Sequence, residues 1–182
     1  MNDSKQIDIT GTSNKYKIKK LTAGIDHNKK RVVAGQWNFS EEYYAIENQL
    51  SLLHEIKENS GHGEMRNLVL SQLDKKLAGY KHQDVLKKIY DEDKLIKISE
   101  VVDKLVNCGL KCFYCRNDVH VLYKVVREMQ QWTLDRIDND KGHFSDNVEI
   151  ACLECNLKRK KQNSEKFLFT KQIKIVRNDF HL

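Results

Sequence analysis

The sequence predicts an α+β fold in which a mainly helical N-terminal region precedes a metal-clamped β-hairpin and helix. Three observations support this prediction. Apolar residues recur at helical spacing in the first half of the chain, whereas residues 131–137 alternate as a strand does and residues 147–152 return as a second strand. Two Cys-x-x-Cys pairs flank this alternating segment. One ion bound by both pairs would tie the start of the hairpin to the helix that follows it.

The first segment, residues 1–20, is polar, rich in lysine and without apolar periodicity, which predicts a flexible basic arm. The region 21–107 is predicted to be helical, with no dense set of catalytic side chains and no assigned role. Within it, residues 32–34 are compatible with a short strand. Ser40 is the predicted N-cap of a first helix, whose apolar residues recur as far as Ile56.

Three further helical patterns follow in the same region. The first covers residues 64–78, and Gly79 is placed to end it. A shorter helix is predicted over residues 82–90. Ser99 is predicted to cap the last helix, which ends before Gly109.

Four of the five cysteines form two pairs, Cys112 with Cys115 and Cys152 with Cys155. A tetrahedral Zn²⁺ takes four thiolates at about 2.3 Å, and two intervening residues allow one turn to present both sulfurs of a pair. Buried apolar thiols are the alternative interpretation. The ligand spacing favours a structural zinc, because four protein ligands leave no open coordination position.

The segment between the pairs has the pattern of a hairpin. Residues 131–137 alternate as a strand, residues 139–142 (Asn-Asp-Lys-Gly) form a turn signal, and residues 147–152 return as the second strand. Residues 153–163 favour a helix that the second cysteine pair opens. The predicted order is therefore cysteine turn, hairpin and helix.

Composition and charge limit the possible partners. No run of about 18 apolar residues and no secretory signal occurs, so a soluble protein of a reducing intracellular compartment is expected, with no membrane partner and no organic cofactor. The formal net charge is +6. Residues 151–182, which include a basic extension at 166–182, carry eight Lys or Arg and three acidic residues. This basic end favours nucleic acid as the partner, although a merely solvated lysine face is the alternative.

The whole pattern from residue 108 to 165 resembles the HNH endonucleases, also called ββα-metal or His-Me finger enzymes, in the subgroup clamped by a four-cysteine zinc. It is similar to HNH proteins of phages and large DNA viruses, which implies a treble-clef-like HNH domain and possible viral origin. The matching segments are Cys112-Phe-Tyr-Cys115, Trp132-Thr-Leu-Asp-Arg-Ile-Asp138, Lys141-Gly-His143, Asp146-Asn-Val148 and Cys152-Leu-Glu-Cys-Asn-Leu-Lys158.

The resemblance implies a site for one divalent cation, Mg²⁺ or Mn²⁺, held by Asp135 and Asn156. These residue types suit such a cation, because Mg²⁺ prefers a few hard oxygen ligands and keeps several waters. The cation would polarise a scissile DNA phosphate and stabilise the leaving oxygen. Asn147 matches the central Asn of the motif, which implies a structural role in the hairpin loop.

One position departs from the family pattern, because Arg136 stands where the general-base histidine is usual. Arginine stays protonated and cannot accept a proton from water. His143 is the nearest candidate base, since a histidine pKa near 6.5 suits the task. Asp138 is a weaker candidate, because an ordinary carboxylate is a poor base. Arg136 remains suited to holding a phosphate oxygen or stabilising developing charge.

The predicted function is metal-dependent cleavage or nicking of DNA by an HNH-type endonuclease. The alternative is a catalytically inactive HNH module that only binds nucleic acid, which the arginine at position 136 would also fit. In both cases the helix after the hairpin is expected to contact backbone phosphates. The residues expected to make these contacts are Lys158, Arg159, Lys160 and Lys161.

Overall fold

The computed structural model describes residues 29–173 except 38 and 61. Within that part of the chain it has five α-helices and one two-stranded antiparallel sheet. The α+β prediction is therefore confirmed, whereas the predicted arm at 1–20 lies outside the described residues. The elements are α1 (Ile46–Lys57), α2 (Glu64–Leu86), α3 (Ile98–Asn107), β1 (Trp132–Arg136), β2 (Val148–Cys152), α4 (Leu153–Arg159) and α5 (Ser164–Gln172).

The segment before α1 differs from its prediction. The suggested strand at 32–34 is wrong, because Val33–Gln36 is a 3-10 helix. Ser40 does act as a cap, but of the 3-10 helix Glu41–Tyr44, where its hydroxyl accepts the N–H of Glu42 at 3.4 Å. The α-helix itself begins only at Ile46.

Helix α2 is one continuous helix of 23 residues. The predictions that Gly79 ends a helix and that residues 82–90 form another were therefore wrong. A glycine inside a helix costs about 1 kcal/mol relative to alanine, and burial on both sides of it offsets this cost. Leu73 is fully buried before the glycine, and Tyr80 and Asp84 are buried after it.

Helix α3 starts at Ile98 rather than after the predicted cap, Ser99. The backbone N–H of Lys97 donates to the Glu100 carboxylate at 2.7 Å, which satisfies the helix start. As predicted, the helix ends before Gly109, which takes the left-handed conformation at φ +60°.

The hairpin forms as predicted, with strands β1 and β2 paired from Trp132↔Cys152 to Arg136↔Val148. The following helix is shorter than predicted, because Lys160 adopts a positive φ of 54° and ends α4. Helix α5 was not predicted. Asn163 caps it by accepting the N–H of Lys166 at 3.0 Å.

One core connects the helical half of the chain to the hairpin. Its members include fully buried leucines from α1, α2, α3 and β1 together with a tryptophan of β1: Leu53, Leu73, Leu105, Leu134 and Trp132. Burying each such side chain contributes roughly 1.5–3 kcal/mol. The packing of α2 against the hairpin is therefore part of the core. None of the described helices is long and apolar enough to cross a bilayer.

Candidate active site

The four paired cysteines meet in one cluster. The sulfur atoms of Cys112, Cys115, Cys152 and Cys155 all lie within 4.8 Å of one another. The Sγ atoms of Cys115 and Cys152 are 3.9 Å apart, close to the edge of about 3.8 Å of a tetrahedron with 2.3 Å metal–sulfur bonds. All four are free thiols. The cluster is therefore compatible with a structural zinc ion.

Local backbone geometry positions these sulfur atoms. The first pair sits on a tight turn in which the Cys112 N–H donates to the Asn117 carbonyl at 2.8 Å, and Arg116 takes a positive φ of 61°. The second pair opens α4, where the Cys152 sulfur caps the helix by accepting the N–H of Cys155 at 3.4 Å. The turn and the helix start therefore face each other across the hairpin.

The thiols of the cluster perturb one another. A hydrogen bond from the Cys152 thiol lowers the pKa of Cys112 to about 4. Burial and the resulting negative charge at Cys112 raise the pKa of Cys155 to about 12. Adjacent thiolates repel each other in a buried site, so four of them coexist only if a cation neutralises them.

A cavity of about 930 Å³ lies between α2, β1 and α4. Its wall brings together the side chains that the sequence analysis selected from separate parts of the chain: Asp135, Arg136, His143 and Asn156. Six basic and two acidic residues line it, so its charge is predominantly positive. They are Lys75, Lys76, Lys87, Arg136, Lys160, Lys161, Asp135 and Asp140.

Asp135 is buried in the wall, with one carboxylate oxygen already held. The Tyr114 hydroxyl donates to Oδ2, and the Arg159 Nε lies 3.2 Å from the same oxygen. Burial raises the pKa of Asp135, although the Tyr114 hydrogen bond and the Arg159 charge oppose this shift. No described residue hydrogen-bonds to Oδ1, which leaves that oxygen for a ligand.

The amide nitrogen of Asn156 is hydrogen-bonded to strand β1. Nδ2 donates to the Thr133 hydroxyl at 3.1 Å and to the Leu134 carbonyl at 3.3 Å. A carbonyl only accepts hydrogen bonds, so the amide orientation is determined. Its Oδ1 has no hydrogen-bond partner among the described residues. The free oxygens of Asn156 and Asp135 are hard donors that fit Mg²⁺ or Mn²⁺.

His143 is buried and oriented by helix α2. Its Nδ1 lies 2.8 Å from Oδ1 of Asp84, and its backbone N–H donates to Oδ2 of the same carboxylate at 2.7 Å. The Tyr80 ring packs on the imidazole with centroids 4.5 Å apart. Burial lowers the pKa of His143, although the Asp84 charge opposes the shift. A neutral ring that donates from Nδ1 keeps Nε2 as a proton acceptor.

Glycine is required beside this histidine by the close approach of the loop to α2. A Cβ atom on Gly142 would lie 2.7 Å from a ring carbon of Phe144, 2.8 Å from the Ile89 carbonyl and 3.0 Å from the Asp84 carboxylate. Any larger residue would push the loop away and lengthen the contact between His143 and Asp84.

Arg136 lies on the cavity wall with only 8% of its surface exposed. Its Nη1 donates to the Lys141 carbonyl at 3.2 Å and lies 3.9 Å from the Asp84 carboxylate. The guanidinium therefore balances the buried charge of Asp84. It also adds a permanent positive charge to the cavity.

Asn147 holds the loop that carries His143. Its Oδ1 accepts the N–H of Asp138 at 2.9 Å, and its Nδ2 donates to the carbonyls of Asp138 and Gly142 at 3.0 Å each. The Asp138 carboxylate pairs with Lys141 at 3.6 Å and does not line the cavity. This placement does not favour Asp138 as the base.

The basic residues after the hairpin divide into three groups. Lys160 and Lys161 are exposed and line the cavity. Lys158 is exposed outside the cavity and pairs with Glu154. Arg159 is fully buried and donates to the carbonyls of residues 136 and 137. The expectation that Arg159 contacts phosphate therefore needs correction, because its guanidinium is enclosed by protein.

Helix α2 supplies site residues that the sequence analysis missed. Tyr80, Asp84 and Lys87 follow helical spacing and would have been grouped if the helix had been continued past Gly79. Lys76 was missed as well: its Nζ donates to a β1 carbonyl. Burial lowers the pKa of Lys76 to about 7.

No protein-family model matches the chain, and no curated protein or solved structure matches it either. The likeness to HNH endonucleases therefore depends on the motif residues and their spacing.

Proposed function

We propose that this protein is a metal-dependent endonuclease of the HNH type that hydrolyses DNA phosphodiester bonds. The observation that carries the proposal is the convergence of Asp135, Asn156 and His143 on one predominantly basic cavity. Two oxygen donors, a neutral imidazole and an excess of positive charge are the groups that hydrolysis of a phosphodiester needs. In the same proposal the four cysteines hold a structural zinc ion.

In the proposed reaction, different residues bind the cation and accept the proton. Asp135 and Asn156 would hold Mg²⁺ or Mn²⁺ through their free oxygens. When bound, the cation supplies Lewis-acid stabilisation of the phosphate and of the leaving 3′-oxygen. Nε2 of His143 accepts the proton of the attacking water, and the Asp84 carboxylate stabilises the imidazolium that results.

The positively charged residues would bind the phosphates of the substrate and take no part in proton transfer. Arg136 cannot act as a base, but its guanidinium lies on the cavity wall and suits a phosphate oxygen. Lys160 and Lys161 extend the positive charge to the rim. A preorganised charge of this kind stabilises the additional negative charge of the transition state.

Plasmid cleavage tests the proposal. Zinc-loaded protein with supercoiled plasmid and Mg²⁺ or Mn²⁺ is expected to produce nicked or linear DNA. Asp135→Asn, which retains the shape of the side chain, and Asn156→Ala should each abolish the product. Asp138→Asn is the matched control in the same hairpin and should cut as the wild type does. Absence of cleavage by the wild type with either cation would contradict the proposal.

A second candidate is a nucleic-acid-binding module without catalysis. It is favoured by the contacts of Asp135, because Tyr114 and Arg159 already hold one of its oxygens. This candidate predicts that the wild type binds DNA without cutting it and that Asp135→Asn binds equally well. Gel-shift and plasmid assays on the same preparations separate the two candidates.

A further inference from the structure

One face of α2 carries a row of exposed residues along the cavity. Lys75, Gly79, Gln83 and the C-cap residue Lys87 recur at every fourth position, and all four line the cavity. At 1.5 Å per residue the row is about 18 Å long. That length corresponds to about five base-pair steps measured along the axis of B-form DNA.

The two lysines of this row have no acidic partner. No described Asp or Glu lies within ion-pair distance of Lys75 or Lys87. Partial burial and the positive charges of Arg136 and Lys161 lower the pKa of Lys87, although the more distant Asp84 carboxylate opposes this shift. Positive charges from α2 and from the hairpin side therefore converge across the cavity, and an anion between them would relieve the repulsion.

Gly79 leaves an open notch between the two lysines. A Cβ atom there would meet nothing within 4 Å, and the residue does not adopt a positive φ. Neither packing nor backbone conformation therefore requires glycine, although glycine weakens a helix interior. Its effect is to expose the helix backbone to whatever occupies the cavity.

We propose that this α2 row binds the sugar–phosphate backbone of a nucleic-acid strand. Lys75 and Lys87 contact phosphates, and the Gly79 notch allows the strand to approach the helix closely. Lys160 and Lys161 face it from the other side of the cavity, so the strand lies between two walls. The identity of the ligand rests on the proposed function, but this binding requires neither Mg²⁺ nor Mn²⁺.

Fluorescence anisotropy with labelled duplex and single-stranded oligonucleotides tests the lysines, using the zinc-loaded full chain without added Mg²⁺ or Mn²⁺. Lys75→Met with Lys87→Met should weaken binding about tenfold and reduce the slope of log K against log salt by about 2, in any sequence. Lys81→Met changes an exposed lysine of the same helix that does not line the cavity, so it is the control and should change neither quantity.

The notch is tested by Gly79→Leu. Leucine favours the helix more than glycine, so the melting temperature should stay equal or rise. Oligonucleotide binding should nevertheless fall about fivefold, because the leucine side chain would keep the strand from approaching the helix closely. Wild-type affinity in this variant would remove the notch from the proposal.

The outcomes separate this inference from the proposed function. A wild type that binds but never cuts contradicts the nuclease and leaves the α2 row intact. If the double lysine variant keeps the wild-type affinity and salt slope, the α2 row does not bind the strand, even if the protein cuts DNA. A wild type that binds neither oligonucleotide overturns the row as well.

Discussion

The two walls of the cavity are built in different ways. The hairpin wall, formed by β1, β2 and α4, adjoins the four-cysteine cluster, where we propose a zinc cross-link, and carries both proposed ligands of the divalent cation, Asp135 and Asn156. The α2 wall has no such cross-link among the described residues and depends on burial of its side chains in the shared core. Its contribution is orientation, because Asp84 holds His143.

This difference implies that the proposed site has two separable halves. Cation binding should depend on the hairpin wall, and proton transfer should depend on the contact between the hairpin loop and α2. Changes confined to one wall should therefore affect one step more than the other.

Removing zinc should have the largest effect. Structural zinc sites contribute about 10–16 kcal/mol to folding, so chelation should unfold the hairpin wall and abolish DNA binding and cleavage. Helices α1 to α3 should keep part of their circular dichroism signal. Metal analysis of the purified protein should find one zinc per chain. Protein that contains no zinc and melts identically with and without chelator would contradict the cluster.

Arg159 and Lys158 are adjacent, yet replacing each of them should affect stability differently. Arg159→Met leaves the buried Asp135 carboxylate without its ion-pair partner, which should cost about 3–5 kcal/mol of unfolding free energy. Lys158→Met removes an exposed pair and should leave the denaturation midpoint unchanged. Urea denaturation of both variants measures the contrast, and equal midpoints would refute it.

The contact between the walls is tested by His143→Gln and Asp84→Asn. His143→Gln should slow cleavage about 10²-fold or more, because the general base is lost. Asp84→Asn should also slow it, since the imidazole loses its oriented tautomer. Asp140→Asn, another carboxylate on the cavity wall, is the control and should have little effect.

The pH profile distinguishes these roles from simple loss of structure. The pKa of His143 is lowered, so wild-type kcat/KM should rise with pH with its midpoint below pH 6.5. The Asp84 charge raises this pKa, and Asp84→Asn should therefore move the midpoint to lower pH. An unshifted midpoint would mean that Asp84 does not act through the histidine.

Asn147→Ala should have the smallest effect. Its three hydrogen bonds to loop backbone would be lost, which should cost about 1–3 kcal/mol. Asn139→Ala is the control, because that side chain makes no hydrogen bond with the described residues. Thermal melting compares the two variants, and equal melting temperatures would argue against the role of Asn147 in holding the loop.

The hairpin wall was largely predictable from sequence, because its determinants are local. Cysteine spacing, strand alternation and a turn signal each act within a few residues, so they located the cysteine cluster and the hairpin, whereas the resemblance to HNH endonucleases selected Asp135 and Asn156. The burial of Arg159 was not predictable, since it depends on how α4 packs on the hairpin. Its position in a basic run resembled that of a surface residue.

The α2 wall was missed for a physical reason. The local propensity of Gly79 favours a helix end, but long-range burial of Tyr80 and Asp84 outweighs it. Asp84 contacts His143, which lies 59 residues later in the sequence. No rule based on local residue spacing predicts such a contact.

Binding of Mn²⁺ tests the central claim most directly. Electron paramagnetic resonance of zinc-loaded wild type titrated with Mn²⁺ should show one bound ion per chain. Asn156→Ala and Asp135→Asn should each lose it, while Asp138→Asn should retain it. If the Asp135 and Asn156 variants bind Mn²⁺ as the wild type does, these residues do not form the cation site and the proposed mechanism is wrong.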